Sequence, residues 1–144
     1  MLMLDDAVII IDAALREGRA RKLAPLAVAV LDPGGHLIAY KREDGAGIVR
    51  FDIAFAKAFG SLGMGFGSRE LSRRAGNMPT FFTMLSATTG GRLVASPGGI
   101  LVLGPDRQVL GAVGISGDLG DNDEACAIAG IAAAGFRTDE PPDA

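Results

Sequence analysis

A chain of 144 residues with 14 Lys+Arg, 17 Asp+Glu and one cysteine has the length of one domain and a formal net charge of -3. The single cysteine excludes an intrachain disulfide and a cysteine-cluster metal site, and the charge balance excludes the basic footprint of a nucleic-acid binder. The apolar fraction is 49% before the 21 glycines are counted, so small side chains such as Ala132–Ala134 supply more packing surface than a monomer needs. A homo-oligomer, dimer or larger, is the expected use of it. No membrane span is expected, because the longest apolar runs, Leu23 to Leu31 and Ala125 to Phe136, fall short of about 20 residues. The start Met-Leu-Met-Leu-Asp-Asp has no positive region of a secretory leader, so a cytoplasmic location is expected.

In chain order, Asp5 or Asp6 caps a first helix, in which Val8, Ile11 and Leu15 share one face. Arg19, Arg21 and Lys22 suit its C-terminal dipole, and Pro25 ends it. Leu26–Leu31 is apolar on both alternating faces and predicts a strand covered on both sides. Asp32-Pro-Gly-Gly35 is a turn, and Leu37–Lys41 returns as the second, antiparallel strand of a hairpin. After the loop Asp44–Gly47, a helix is predicted from about Ile48 to Met64, with Phe51, Phe55 and Phe59 as a stripe and Asp52, Lys57 and Ser61 off it. Ser68 opens a short further helix. Residues 76–91 show no period, and the stretch containing Pro79, Phe81, Phe82 and Met84 reads either as a contact loop or as a lid on the core. Short strands are predicted at 93–95 and 99–104, and a longer one at 109–116 beyond the turn Gly104–Gln108. A last helix is predicted from Asp121 to about Ala134, with Glu124 at capping-box spacing. The tail 139–144 is expected to fray. The whole chain, 1–144, reads as a single domain.

The usual catalytic signatures are missing: there is no G-x-S-x-G, no H-E-x-x-H and no P-loop. The glycines from Gly60 to Gly67 end a helix and do not follow a strand, so they are not a dinucleotide fingerprint. His36, the one histidine, sits where the hairpin turns. It is a candidate metal or haem-iron ligand, a candidate acid or base, or simply polar surface. Lys57 lies in the small, apolar run Ile53–Phe59. It either faces a carboxylate or snorkels to water, with Arg50 and Asp52 about a turn away. The loop Ser116–Asp123 combines glycines with a helix N-terminus. It reads as an anion nest or, given its acidic residues, as a self-capped loop. Cys126, among alanines, is a small core residue.

These pieces together resemble a family. Asp32-Pro-Gly-Gly-His-Leu37 followed by Arg42-Glu-Asp-Gly-Ala46 resembles the opening hairpin of the GlcG/HbpS-like family, also described as domain of unknown function 336. The helix with Asp52 and Ala56-Lys-Ala58, then Gly98-Gly-Ile100, Gly111-Ala-Val-Gly-Ile-Ser-Gly117 and Gly120-Asp-Asn-Asp-Glu124, follow in the family's order. The last loop more typically reads Gly-Glu-Gln-Asp-Glu, so Asp121 and Asn122 are shortened versions. The resemblance runs from about Leu4 to Ala134.

The resemblance implies an α/β (α+β) fold of the profilin-like or roadblock-like type, with a five-stranded antiparallel sheet flanked by helices. It also implies oligomers from dimers to octamers, and relatives that bind or degrade haem. Three functions follow as expectations. The first is a small-ligand binder, with haem as the candidate cofactor, His36 as candidate iron ligand and Lys57 or Arg50 facing a propionate. The second is an enzyme acting on a small organic acid held by Lys57, with His36 or Asp32 moving the proton. The third is a structural or interaction module without catalysis. Asp32, His36, Arg50, Lys57, Ser116 and Gly117 are the candidate ligand-binding residues, expected to approach one cleft.

Overall fold

The computed structural model describes residues 1–139. Its elements in chain order are α1 (Leu4–Ala20), β1 (Ala27–Leu31), β2 (Leu37–Arg42), α2 (Arg50–Met64), α3 (Ser68–Asn77), α4 (Pro79–Thr88), β3 (Gly99–Leu103), β4 (Val109–Ser116), α5 (Gly120–Ala133) and β5 (Arg137–Thr138). The strands form one sheet in the order β2-β1-β4-β3-β5, and every pair is antiparallel. The expected fold class therefore holds.

Alternation along the strands sorts side chains by size onto two faces. Val28, Val30, Ile100, Val102, Val113 and Ile115 point to the face covered by α1 and α5, where they meet Ile10, Ile11, Cys126 and Ile131. The opposite face presents Leu31, Leu101, Leu103 and Ala112 to Ala58 of α2. It also presents Gly99 and Gly114, which lie directly beneath the backbone of α2. A Cβ on Gly114 would stand 1.9 Å from the carbonyl oxygen of Ala54, and one on Gly99 would stand 2.3 Å from that of Lys57. The branched face builds an ordinary core, while the glycine face draws a helix down onto the sheet.

Four expectations are corrected. Residues 76–91 are not a loop: α3 runs to Asn77, and α4 follows at once. Pro79 starts α4 and forbids helical backbone at the residue before it, so Met78 breaks the run at φ -137° and ψ 58°. Two ten-residue helices meeting at a break show no common period. Residues 93–95 are not a strand. Leu93 packs on Gly60 of α2 and into a cluster with Leu71 and Phe82. The fifth strand is β5, which covers the end of β3 at the sheet edge. The stripe of α1 is rotated from the expected one: its buried residues are Ala7, Ile10, Ile11, Ala13, Ala14 and Gly18. Asp6 caps that helix by accepting the Met3 N–H at 2.9 Å. The tail does not begin to fray at Asp139, whose carboxylate accepts the N–H of Leu101 at 2.9 Å and of Gly67 at 2.6 Å. The rest of the tail, 140–144, lies outside the described residues.

The close approach of α2 makes a first prediction. Gly114→Ala forces a Cβ into a helix carbonyl that cannot move independently of its helix, and overpacking of this kind costs about 3 kcal/mol. Urea unfolding of the variant should show that loss, with an unchanged m-value.

Candidate functional site

The register divides the expected site residues into two groups. Ala27 of β1 pairs with Ser116, and Leu31 pairs with Ala112. Asp32 follows Leu31, so it lies five residues along the strand from the Ser116 rung, about 17 Å at the usual rise. Arg50, Lys57, Ser116 and Gly117 gather at one end of the sheet. Asp32 and His36 sit at the other, so within one chain they do not share a cleft.

At the first end, Lys57 does not snorkel. Its side chain is 3% exposed, and Nζ donates to the carbonyl of Ile115 at 2.8 Å and to Oδ2 of Asp123 at 3.1 Å. It runs through a channel that glycines leave open: a Cβ on Gly98 would stand 2.8 Å from Nζ. Burial pulls the Lys57 ammonium below its ordinary pKa, against the pull of Asp123, and the like charge of Arg50 adds to the fall. Burial pushes the Asp123 carboxyl up to about 6, although Lys57 and the Asp118 N–H hold it down. Arg50, the first residue of α2, donates from Nη1 to the buried Ser116 Oγ at 3.1 Å. Gly117 has φ 149° and lies against the Pro25 carbonyl, where a Cβ would stand 2.2 Å away. Packing explains that glycine.

The acidic loop folds onto itself. Asp118 accepts the N–H groups of Leu119 at 2.8 Å and Ala24 at 2.9 Å, and the side-chain amide of Asn122 at 2.7 Å. Asp123 Oδ1 accepts the Asp118 N–H at 3.1 Å. The loop's carboxylates thus occupy donors that a nest would turn toward an anion. The expected capping box between Asp121 and Glu124 does not form, because the helix starts one residue earlier, at Gly120. Both acids instead bind Arg69 of α3: its Nε lies 3.0 Å from each Glu124 oxygen, and its Nη2 lies 2.5 Å from Asp121. Arg69 escaped the sequence reading, since nothing local marks a partner 55 residues away. Cys126 is buried, and burial raises its thiol to about 11, in keeping with a core role.

At the second end, the hairpin tip is organised by one carboxylate. Asp32 Oδ1 accepts the N–H of Gly34 at 2.9 Å and of His36 at 3.0 Å, and lies 3.3 Å from His36 Nδ1. Those bonds, the His36 N–H first, hold the Asp32 carboxyl below its usual pKa. The His36 side chain is 83% exposed. Its Nε2 has no hydrogen-bond partner among the described residues. A small shelf of about 130 Å³ follows, lined by Pro33, Gly34, Gly35, Phe59, Leu62 and Gly63; His36 is not part of that lining, and its ring adjoins it through Gly34, where a Cβ would stand 3.0 Å from the imidazole. Gly35, at φ 84°, presses on the Phe59 ring, and the Arg92 guanidinium lies over that ring at 4.3 Å.

This arrangement can be set beside known proteins. The family described as haem-degrading protein HbpS-like matches residues 2–132. The chain belongs to this family. Its fold is similar to the structure of a PduOC:heme complex, with TM-score 0.85 and 25% identity over 96% of this chain and 99% of that one. A double mutant of Streptomyces reticuli HbpS matches with TM-score 0.77 and 28% identity over 91% of this chain and 85% of that one. A Klebsiella pneumoniae protein, ORFY, of family DUF336 shares the fold at TM-score 0.83 and 24% identity, over 93% of this chain and 90% of that one. No curated protein matches the sequence. Among the described residues no helix is long and apolar enough to cross a membrane, and no cluster of three or more His, Cys, Asp or Glu is disposed to hold a metal ion.

The buried pair yields a second prediction. Lys57→Met alone leaves the Asp123 carboxylate buried without its counter-charge and should cost about 3–5 kcal/mol at alkaline pH, whereas Lys57→Met with Asp123→Leu, which removes both charges, should recover most of that loss in chemical unfolding. The titration has a defined sign. Asp123 holds its proton more tightly when folded than when unfolded, so its contribution to stability is full below pH 3.8 and is lost as the pH rises through about 6. Carbon NMR of the Asp123 carboxyl should show a midpoint near 6, and Lys57→Met should move it higher.

Proposed function

We propose that this protein is a cytoplasmic small-ligand binder that takes haem, or a planar apolar ligand of the same kind bearing carboxylates, at the hairpin tip, with His36 as the iron ligand. The observation that carries the reading is an imidazole whose Nδ1 faces Asp32 while Nε2 is left without a protein partner next to a small shelf. A carboxylate behind a ligating histidine fixes the ring and makes it a better donor. Phe59 and Leu62 provide a surface for a flat apolar face, and Arg92, over Phe59, provides a cation for a propionate. An imidazole donor, an apolar contact and a cation are the groups on which such a ligand would call. When bound, haem supplies a redox-active iron, and the chain supplies the donor, the apolar contact and the charge. Membership of a family described as haem-degrading supports the same ligand class.

The expected propionate partners change. Lys57 is buried with its ammonium engaged, and Arg50 is tied to Ser116 at the opposite end of the sheet, so Arg92 takes that role. The same burial weakens the reading of an enzyme for a small organic acid, which needed Lys57 free to hold a carboxylate. We also propose that the protein works as a homo-oligomer, because Phe81 and Met84 on α4, and Met78 just before it, remain exposed after the core is built.

Titration with hemin should give a shifted, intensified Soret band that saturates. His36→Ala should abolish the shift, and Asp32→Asn should weaken binding roughly tenfold. Binding unchanged in His36→Ala would remove the histidine from the site. No binding by the unaltered protein would defeat the haem reading and leave the interaction module.

A further inference from the structure

A cavity of about 420 Å³, lined by Arg19, Pro25, Arg42, Glu43 and Asp44, opens at the Ser116 end of the sheet but outside the buried pairs. Arg42 ends β2 on the rung it shares with Ala27 and Ser116, and Arg19 lies in the last turn of α1. The backbone around the cavity is fixed. Glu43 donates its N–H to the Leu26 carbonyl at 2.9 Å, and its Oε1 accepts the Leu26 N–H at 2.8 Å. The Ala46 N–H closes a turn on the Glu43 carbonyl at 3.2 Å, with Gly45 at φ 87°, as the third position of a type II turn requires. That turn folds against Pro25, since a Cβ on Gly45 would stand 3.6 Å from the proline ring. Asp44 therefore occupies a turn corner, two residues along from Arg42.

The charges of this lining are not all spent on one another. Arg19 Nε binds Glu43 Oε2 at 3.0 Å, and its Nη2 donates to the Ala24 carbonyl at 2.8 Å. The Asn122 amide and the N–H groups of Ala24 and Leu119 hold the Asp118 carboxyl below its ordinary pKa, and the charge of Arg19 adds to that fall. Arg19 is thus compensated and held in place. Among the described residues, neither the Arg42 guanidinium nor the Asp44 carboxylate has a hydrogen bond or an ion pair. What remains is one cation and one anion on the wall of one cavity. A simple anion drawn to Arg42 meets the carboxylates of Glu43 and Asp44, and a simple cation drawn to Asp44 meets Arg19 and Arg42. We propose that the cavity binds a small zwitterion of the α-amino acid class, with its carboxylate on Arg42 and its ammonium on Asp44. A guanidinium takes a carboxylate through two parallel N–H bonds, and Pro25 offers an apolar contact to the side chain. The volume falls in the range of small-molecule sites, roughly 300–1,000 Å³. The cavity shares no residue with the hairpin tip or with the Lys57–Asp123 network, so it stands or falls apart from the haem reading.

The test is amide NMR of the intact chain titrated with L-valine and with its two halves: isobutylamine, which lacks the carboxylate, and isovalerate, which lacks the ammonium. Glycine, which carries both charges and no side chain, completes the set. L-valine should shift the amide signals of Arg42, Asp44 and Gly45 saturably, glycine should shift the same signals, and each half should bind about tenfold more weakly than L-valine. Arg42→Gln and Asp44→Asn remove the two free charges at exposed positions. Each should weaken L-valine binding about tenfold, with unchanged circular dichroism and an unchanged hemin titration. Isovalerate or isobutylamine binding as well as L-valine overturns the zwitterion assignment. No shift with millimolar L-valine or glycine, or L-valine binding that survives both substitutions, overturns the site.

Discussion

The close contact between α2 and the sheet sets the terms for the rest of the molecule. Gly99 and Gly114 remove the side chains that would hold the helix at an ordinary distance, and the helix carbonyls of Ala54 and Lys57 settle where those Cβ atoms would have been. A lysine on such a helix has no room to bend out to water. Its stem follows the channel beside Gly98, and its ammonium emerges under Ile115 and Asp123. The glycines therefore bury Lys57, and Asp123 is the counter-charge that makes this burial tolerable.

The pair is better understood as a device for register than as a source of stability. Desolvating two charges costs several kcal/mol per ion, and their attraction returns that only with good geometry and full hydrogen bonding. Here the geometry also joins elements that would otherwise be connected only through the core. Lys57 belongs to α2, which covers one face of the sheet, and Asp123 to α5, which covers the other. Asp123 holds the Asp118 N–H, and Asp118 holds the Ala24 N–H ahead of β1. Arg69 extends the network to α3 through Glu124 and Asp121. A one-residue slip of β4 would carry the Ile115 carbonyl away from Lys57 and flip Ser116 away from Arg50. Polar groups that cannot be satisfied in any other register make this one unique.

What was legible in the sequence was what local periodicity and turn chemistry specify. The strands at 27–31, 37–42, 99–103 and 109–116 and the helices α1, α2 and α5 follow from apolar alternation, helical stripes and the Pro-Gly turns. The α3–α4 pair was hidden because Met78 interrupts the period between two short helices. β5 is two residues long, and its reason to exist is the exposed edge of β3, a tertiary fact. The candidate site was half legible. Residue chemistry picked out His36 and Lys57, but which end of the sheet each occupies depends on strand register, which no spacing along the chain encodes. The burial of Lys57 likewise depends on glycines about 40 and 57 residues downstream.

The two ends of the sheet consequently differ in kind. At the Ser116 end Lys57, Asp123, Arg69, Asp121 and Glu124 are bound to one another inside the protein, so displacing any of them would break the pairing on which the register rests. At the hairpin tip Asp32 satisfies the turn's backbone and turns toward one ring nitrogen of His36, while the other nitrogen, the Phe59 shelf and the upper face of Arg92 stay outside the core's hydrogen bonding. A ligand there replaces water rather than protein partners. The interior can thus be fixed by polar pairing at one end while chemistry varies at the other, because a change at position 36 or 92 touches no group on which the register depends.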